Sequence, residues 1–90
     1  NGQVQAVNLF STDPQIKANN FVVLEDTKSL FGAQNVIPVL TKAKATPAAT
    51  EALNAVSAKL DTDTLAGLVT QVVVDKKDST DVAEEFLKAN

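Results

Sequence analysis

Carboxylates at close spacing are the candidates for acid-base chemistry in this chain. They form three pairs, Glu25-Asp26, Asp61-Asp63 and Glu84-Glu85. Such pairs catalyse proton transfer only where a partner or burial shifts one of the two pKa values, and no neighbouring residue type supplies either condition. We expect the first pair to end a strand, the second to begin a helix and the third to face water on an amphipathic helix. The sequence therefore predicts a protein that is not an enzyme.

Cysteine and histidine are both absent from the 90 residues. Their absence excludes disulfides, thiolate ligands, a cysteine nucleophile and the commonest general base. The stretch Asp61-Thr62-Asp63 lacks the third acid, the central glycine and the terminal glutamate of an EF-hand loop, and the three glycines stand apart instead of forming a phosphate-binding loop. We therefore expect neither a metal ion nor a cofactor.

The charge pattern argues against nucleic acid as a partner. The formal net charge is −3, and the eight cationic residues are all lysines, scattered along the chain. A phosphate backbone requires a clustered positive face, often with arginine. No apolar run approaches the ~20 residues that cross a bilayer, so the piece as given is expected to be soluble.

Two loops have the composition of a small-molecule pocket. Residues 10–13 and 31–35 each combine a phenylalanine with short hydrogen-bonding side chains, and each adjoins a predicted strand. The alternative is that Phe10 and Phe31 belong to the core while the polar residues form turns. Composition by itself favours that alternative.

The first half of the chain predicts strands and one short helix. Apolar segments at 7–10, 21–24 and 35–40 have strand composition. Pro38 lies in the last of these and cannot donate to a ladder, so that strand should lie at an edge or cross between parts of the structure. Pro14 is favoured at the first position of a helix, and we expect that helix to end at residues 19–20.

From residue 46 onward the apolar spacing becomes helical. Thr46, then Asp61 or Thr62, and then Asp78 are expected to cap three helices. Gly67 in the second helix is expected to permit close packing against a neighbour. The inward faces are predicted to consist of Ala49, Leu53, Val56, Leu60, Leu65, Leu68, Val69, Val72, Val82, Phe86 and Leu87. Three strands followed by three helices predict an α/β architecture.

The order of the motifs resembles one family. The strings "NLFSTDPQI", "FVVLEDTKSLFGAQNVIPVL" and "EALNAVSAKLDTDTLAGLVTQVVVDKKDSTDVAEEFLKAN" together resemble the C-terminal part of substrate-binding proteins of ABC importers, in the glycine betaine, carnitine and choline branch. The resemblance implies a two-lobed type II periplasmic-binding-protein fold. Residues 1–90 would be its C-terminal portion, with 1–40 strand-rich, forming part of the cleft and the crossing between lobes, and 41–90 helical.

The resemblance also implies the ligand and the residues that contact it. Phe10 corresponds to an aromatic residue of the family's quaternary-ammonium cage, and Gln34 corresponds to a second one, with an amide in place of a ring. Thr12 and Asn35 complete the implied ligand-binding set. The implied ligand is an osmoprotectant-like quaternary amine or a related polar solute.

The implied partners are a membrane permease and the remainder of the same receptor chain. The implied location is extracytoplasmic, in the periplasm or on the outer face of the membrane, with lipid anchoring through an upstream segment as an option. A hypothesis from a different class of protein stays open. In this interaction-domain hypothesis the chain is a small structural or protein-interaction domain whose amphipathic helices dock a partner.

Overall fold

A computed structural model describes residues 2–90 of the chain. Within this range the regular secondary structure is helical. The helices are α1 (Pro14–Ala18), α2 (Pro47–Ser57), α3 (Thr62–Val73) and α4 (Ser79–Ala89).

The three longer helices begin where the capping residues predict. Thr46 accepts a hydrogen bond from the backbone N–H of Ala49 at 3.2 Å and caps α2. Asp61 accepts from Thr64 N–H at 2.7 Å and caps α3. Asp78 caps α4 in the same way. Each side chain satisfies one of the N–H groups that a helix start leaves without an intrahelical partner, so the predicted caps of α2 and α4 are confirmed and Asp61 is the cap of α3.

The short helix α1 also ends as predicted. Asn20 has a φ of 52°, and the N–H of Phe21 donates to the carbonyl of Ile16 at 2.9 Å. A left-handed residue followed by this longer hydrogen bond is the Schellman ending of a helix. Asparagine tolerates the left-handed region better than most residues, which is why the helix ends there.

The predicted strands do not form, and the α/β prediction is wrong for the structure. Segments 7–10, 21–24 and 35–40 have no strand or bridge assignment, and no β-strand occurs anywhere in residues 2–90. Their side chains are exposed, with Val22 at 85% and Val39 at 88%. A strand requires a neighbouring backbone as well as a suitable composition, and residues 2–90 do not supply one.

Helix α3 is the helix that packs on two others in the described chain. It packs against both α1 and α4. Val82 of α4, at 4% exposure, is the buried hydrophobic residue of the described chain. Half-burial confirms most of the predicted inward faces, namely Ala49, Leu53, Val56, Leu60, Leu65, Leu68, Val69, Val72 and Phe86.

Two packing predictions are wrong. Leu87 is 56% exposed, although it borders the groove between α2 and α4 beside Phe86. Gly67 is also exposed, and a Cβ built there would meet no atom within 4 Å. The glycine therefore permits no close approach in this structure.

The molecule is expanded for its length. The radius of gyration is 16.5 Å and the principal extents are 51 × 34 × 19 Å. A compact domain of this size would have a radius of gyration of about 12 Å. The difference agrees with the exposed apolar segments of the first half.

Candidate functional site

The first predicted binding loop is a tight turn before α1. The N–H of Asp13 donates to the carbonyl of Phe10 at 2.9 Å, and the Asp13 carboxylate accepts from the N–H of Gln15 at 2.9 Å. Together these bonds connect the turn to the helix start. Thr12 in the turn is half-buried, whereas Phe10 is 73% exposed. An exposed ring of this kind is available to a ligand or to another part of a larger protein.

The second predicted loop is more open. Gln34 and Asn35 are both exposed and lie in a segment without regular secondary structure. The ligand-binding assignment of Phe10, Thr12, Gln34 and Asn35 stays a prediction.

The carboxylate of Asp26, a residue predicted only to end a strand, orders the stretch before Gln34. One oxygen of Asp26 accepts from the backbone N–H of Leu30 at 3.0 Å, and the other accepts from that of Phe31 at 2.9 Å. These bonds hold the pKa of the Asp26 carboxyl below its ordinary value, and the bond from Phe31 has the largest effect. An aspartate followed by Thr-Lys-Ser is a turn composition, and that was the available signal.

Two grooves formed by described residues lie among the helices. One of about 300 Å³ is open, almost wholly apolar, and lies between α3 and α4. It is lined by Leu68, Val69, Val72, Val73, Ser79, Val82 and Ala83. A smaller one of about 90 Å³ lies between α2 and α4 and includes Val56 and Phe86. Neither groove includes any of the four predicted ligand residues.

Lysines fix the connection from α3 to α4. The ammonium of Lys76 donates to the carbonyl of Val73 at 2.7 Å, which satisfies a free carbonyl at the helix end. The ammonium of Lys77 donates to the side chain of Gln71 at 2.9 Å and pairs with the Glu85 carboxylate at 3.4 Å. These exposed bonds orient α4 on α3 but add little stability.

The carboxylates do not assemble a metal site in the part of the chain that is described. No group of three or more potential ligand side chains comes together among residues 2–90. None of the helices there has the length and apolar character needed to span a membrane.

Sequence comparison gives the class of protein. Residues 1–89 match the family described as the substrate binding domain of the ABC-type glycine betaine transport system. The match covers nearly the whole chain, and the chain belongs to this family. It is a family of substrate-binding transport domains and not of enzymes.

A curated relative is the ergothioneine transport permease/ergothioneine binding protein EgtU of Helicobacter pylori (strain G27). It is 34% identical over 88 residues, which are 96% of this chain. The chain spans only 16% of the length of that relative. Comparison with solved structures gave no match.

Proposed function

We propose that the chain is part of the solute-binding component of an ABC importer, which captures a small solute without covalent chemistry and delivers it to a membrane permease. The observation that carries this proposal is the family match over residues 1–89. Binding of this kind needs a cleft with a few positioned groups and no acid-base pair. The carboxylates of Asp26, Asp61 and Glu85 accept from backbone amides or pair with a lysine, and these structural roles are compatible with a binding protein.

The solute we propose is a small quaternary amine. The description of the matched family names glycine betaine, and the name of the relative includes ergothioneine. Both compounds carry a trimethylammonium group and a carboxylate. An aromatic face attracts such a cation by about 0.5 to 2 kcal/mol, and in our proposal Phe10 supplies that face.

Three polar residues complete the proposed contact set. Gln34 offers an amide donor and acceptor where a second ring would be expected, and Thr12 and Asn35 offer further hydrogen bonds. Groups of this kind suit the carboxylate or another polar part of the solute. The proposal therefore extends to related solutes that are more polar than glycine betaine.

We also propose that residues 1–90 form the C-terminal portion of a longer, extracytoplasmic receptor. The chain spans 16% of the relative, and large apolar side chains of the first half are exposed. Exposed apolar surface on this scale is typical of a surface that another part of a protein covers. The partners are then the remainder of the receptor and the permease.

Calorimetry on the full-length receptor tests the proposal. Glycine betaine, carnitine, choline and ergothioneine are titrated beside glycine, which differs from glycine betaine only by three N-methyl groups. We expect saturable binding of at least one quaternary amine and no binding of glycine. If the receptor binds a protein partner and has no affinity for any of these solutes, the result would instead favour the interaction-domain hypothesis.

A further inference from the structure

The carboxylate of Asp26 uses both of its oxygens on consecutive backbone amides. Its bonds to Leu30 and Phe31 measure 3.0 and 2.9 Å. Hydrogen bonds from N–H groups to an ionised carboxylate are stronger than those to a neutral acceptor. Because the two donors are adjacent in sequence, the carboxylate fixes the direction in which the chain leaves the loop.

The backbone of the same loop is closed by a further bond. The N–H of Ser29 donates to the carbonyl of Asp26 at 3.1 Å, and Ser29 has a φ of 50°. A serine seldom adopts this left-handed conformation without local support. The Asp26 bonds provide that support, so residues 26–31 form a small closed loop inside an otherwise irregular segment.

The loop ends immediately before the second predicted binding segment. Phe31, whose N–H is held by Asp26, is separated from Gln34 by two residues, and Asn35 follows. Residues 32–40 have no regular secondary structure of their own. The direction in which residues 32–40 leave the closed loop is therefore set largely at Phe31.

We infer that Asp26 is a positioning residue of the solute site, because it clamps the Leu30 and Phe31 amides and so presents Gln34 and Asn35 to the ligand. The inference rests on the proposed function. Asp26 itself does not touch the solute in this account. Its contribution is to reduce the ordering that the loop must undergo when a ligand binds.

Two variants and a matched control test this inference in the full-length receptor. Asp26→Ala removes both acceptors, whereas Asp26→Asn keeps one oxygen. Glu25→Gln removes the same charge one residue away, where the exposed carboxylate accepts no hydrogen bond within residues 2–90. Affinity for glycine betaine and ergothioneine is measured by calorimetry, and the melting temperature is measured without ligand.

We expect Asp26→Ala to weaken binding about tenfold or more, Asp26→Asn to weaken it less, and Glu25→Gln to bind as the wild type does. The melting temperature without ligand should fall by no more than about 2 to 4 °C. In nuclear magnetic resonance spectra the amide protons of Leu30 and Phe31 should shift in the Asp26 variants and not in Glu25→Gln.

Three results would overturn the inference. They are wild-type affinity in Asp26→Ala, an equal loss of affinity in Glu25→Gln, and a large drop in melting temperature that accounts for the lost binding. Failure of the wild-type receptor to bind any solute of the panel is distinguishable from these. It would reject the proposed function and this inference with it.

Discussion

Asp26, Asp61 and Asp78 illustrate one piece of physics at the level of single residues. The pKa of each is held below its ordinary value mainly by backbone N–H donors, from Phe31, Thr64 and Thr80 respectively. The charged carboxylate is the better acceptor, so the folded state favours it. Each group therefore stabilises the fold above pH about 4, and that stabilisation is lost as the pH falls through the lowered folded pKa.

Phe10 carries the first prediction. If its exposed ring faces the solute in the complete receptor, Phe10→Ala should weaken binding of a quaternary amine by about 1 to 2 kcal/mol, because the cation loses the negative face of the ring. Phe10→Tyr keeps the ring and serves as the control. Isothermal titration calorimetry measures both, and an unchanged affinity in Phe10→Ala would remove Phe10 from the site.

Gln34 carries the second prediction. Gln34→Tyr replaces an amide by an aromatic face and should raise affinity for glycine betaine by about 0.5 to 1 kcal/mol. Affinity for a polar solute that uses the amide should fall. Titrating the same solutes against Gln34→Tyr and Gln34→Leu separates the contribution of the aromatic face to affinity from that of apolar size. Equal affinities in all three proteins would mean that Gln34 points away from the ligand.

At the level of elements, the helices owe their positions to caps and their packing to narrow apolar faces. Asp61 begins α3 and Asp78 begins α4, and α3 packs on both α1 and α4. Most of the contact surface is half-buried, and Val82 is the buried hydrophobic residue within the described range. With little burial, the local caps supply a larger share of the reason for each helix to form.

Asp61→Ala tests the cap of α3. The Thr64 amide loses its acceptor, so we expect its hydrogen exchange in the full-length receptor to become about fivefold faster at pH 7. Asp63→Ala removes a charge from the same first turn and should change exchange far less, since Asp63 is not the cap.

Acid provides the second arm of the same test. Lowering the pH through the folded pKa of Asp61 protonates the cap. The exchange rate of the Thr64 amide in the wild type should then approach that in the Asp61→Ala protein, once intrinsic chemical exchange rates are corrected for pH. A persistent difference between the two proteins at low pH would show that the carboxylate charge is not what holds the cap.

At the level of the whole molecule, the core of residues 2–90 is small, with Val82 as its buried hydrophobic residue. The radius of gyration of 16.5 Å exceeds the ~12 Å of a compact domain this long. Large side chains such as Val22, Leu24 and Val39 are exposed. Fixing a residue's backbone costs about 1 to 2 kcal/mol, and exposed apolar side chains do little to offset that cost.

The isolated chain of 90 residues should therefore melt without cooperativity. We expect partial helicity by circular dichroism, a broad thermal transition and binding of an apolar dye. The full-length receptor should unfold in a sharp transition that solute shifts upward. A sharp calorimetric transition in the isolated chain would contradict the proposal that other parts of the receptor complete its core.

The sequence by itself determined the helices, their caps and the family. Thr46 and Asp78 could be identified in advance, and Asp61 as one of two candidates, because a cap is satisfied within three residues of its own position. The ordered motifs carried the family resemblance, which the match over residues 1–89 supports. These features depend on local spacing or on linear order.

Only the tertiary structure decided whether the apolar segments of the first half form strands. Segments such as 21–24 have the composition of strands, but strand formation depends on a second backbone, and residues 2–90 do not provide one. The exposure of Leu87 likewise depends on tertiary packing. So do the two hydrogen bonds that Asp26 accepts from the amides of Leu30 and Phe31, because they depend on the loop conformation. Pairing, burial and loop closure all join residues that sequence patterns alone cannot bring together.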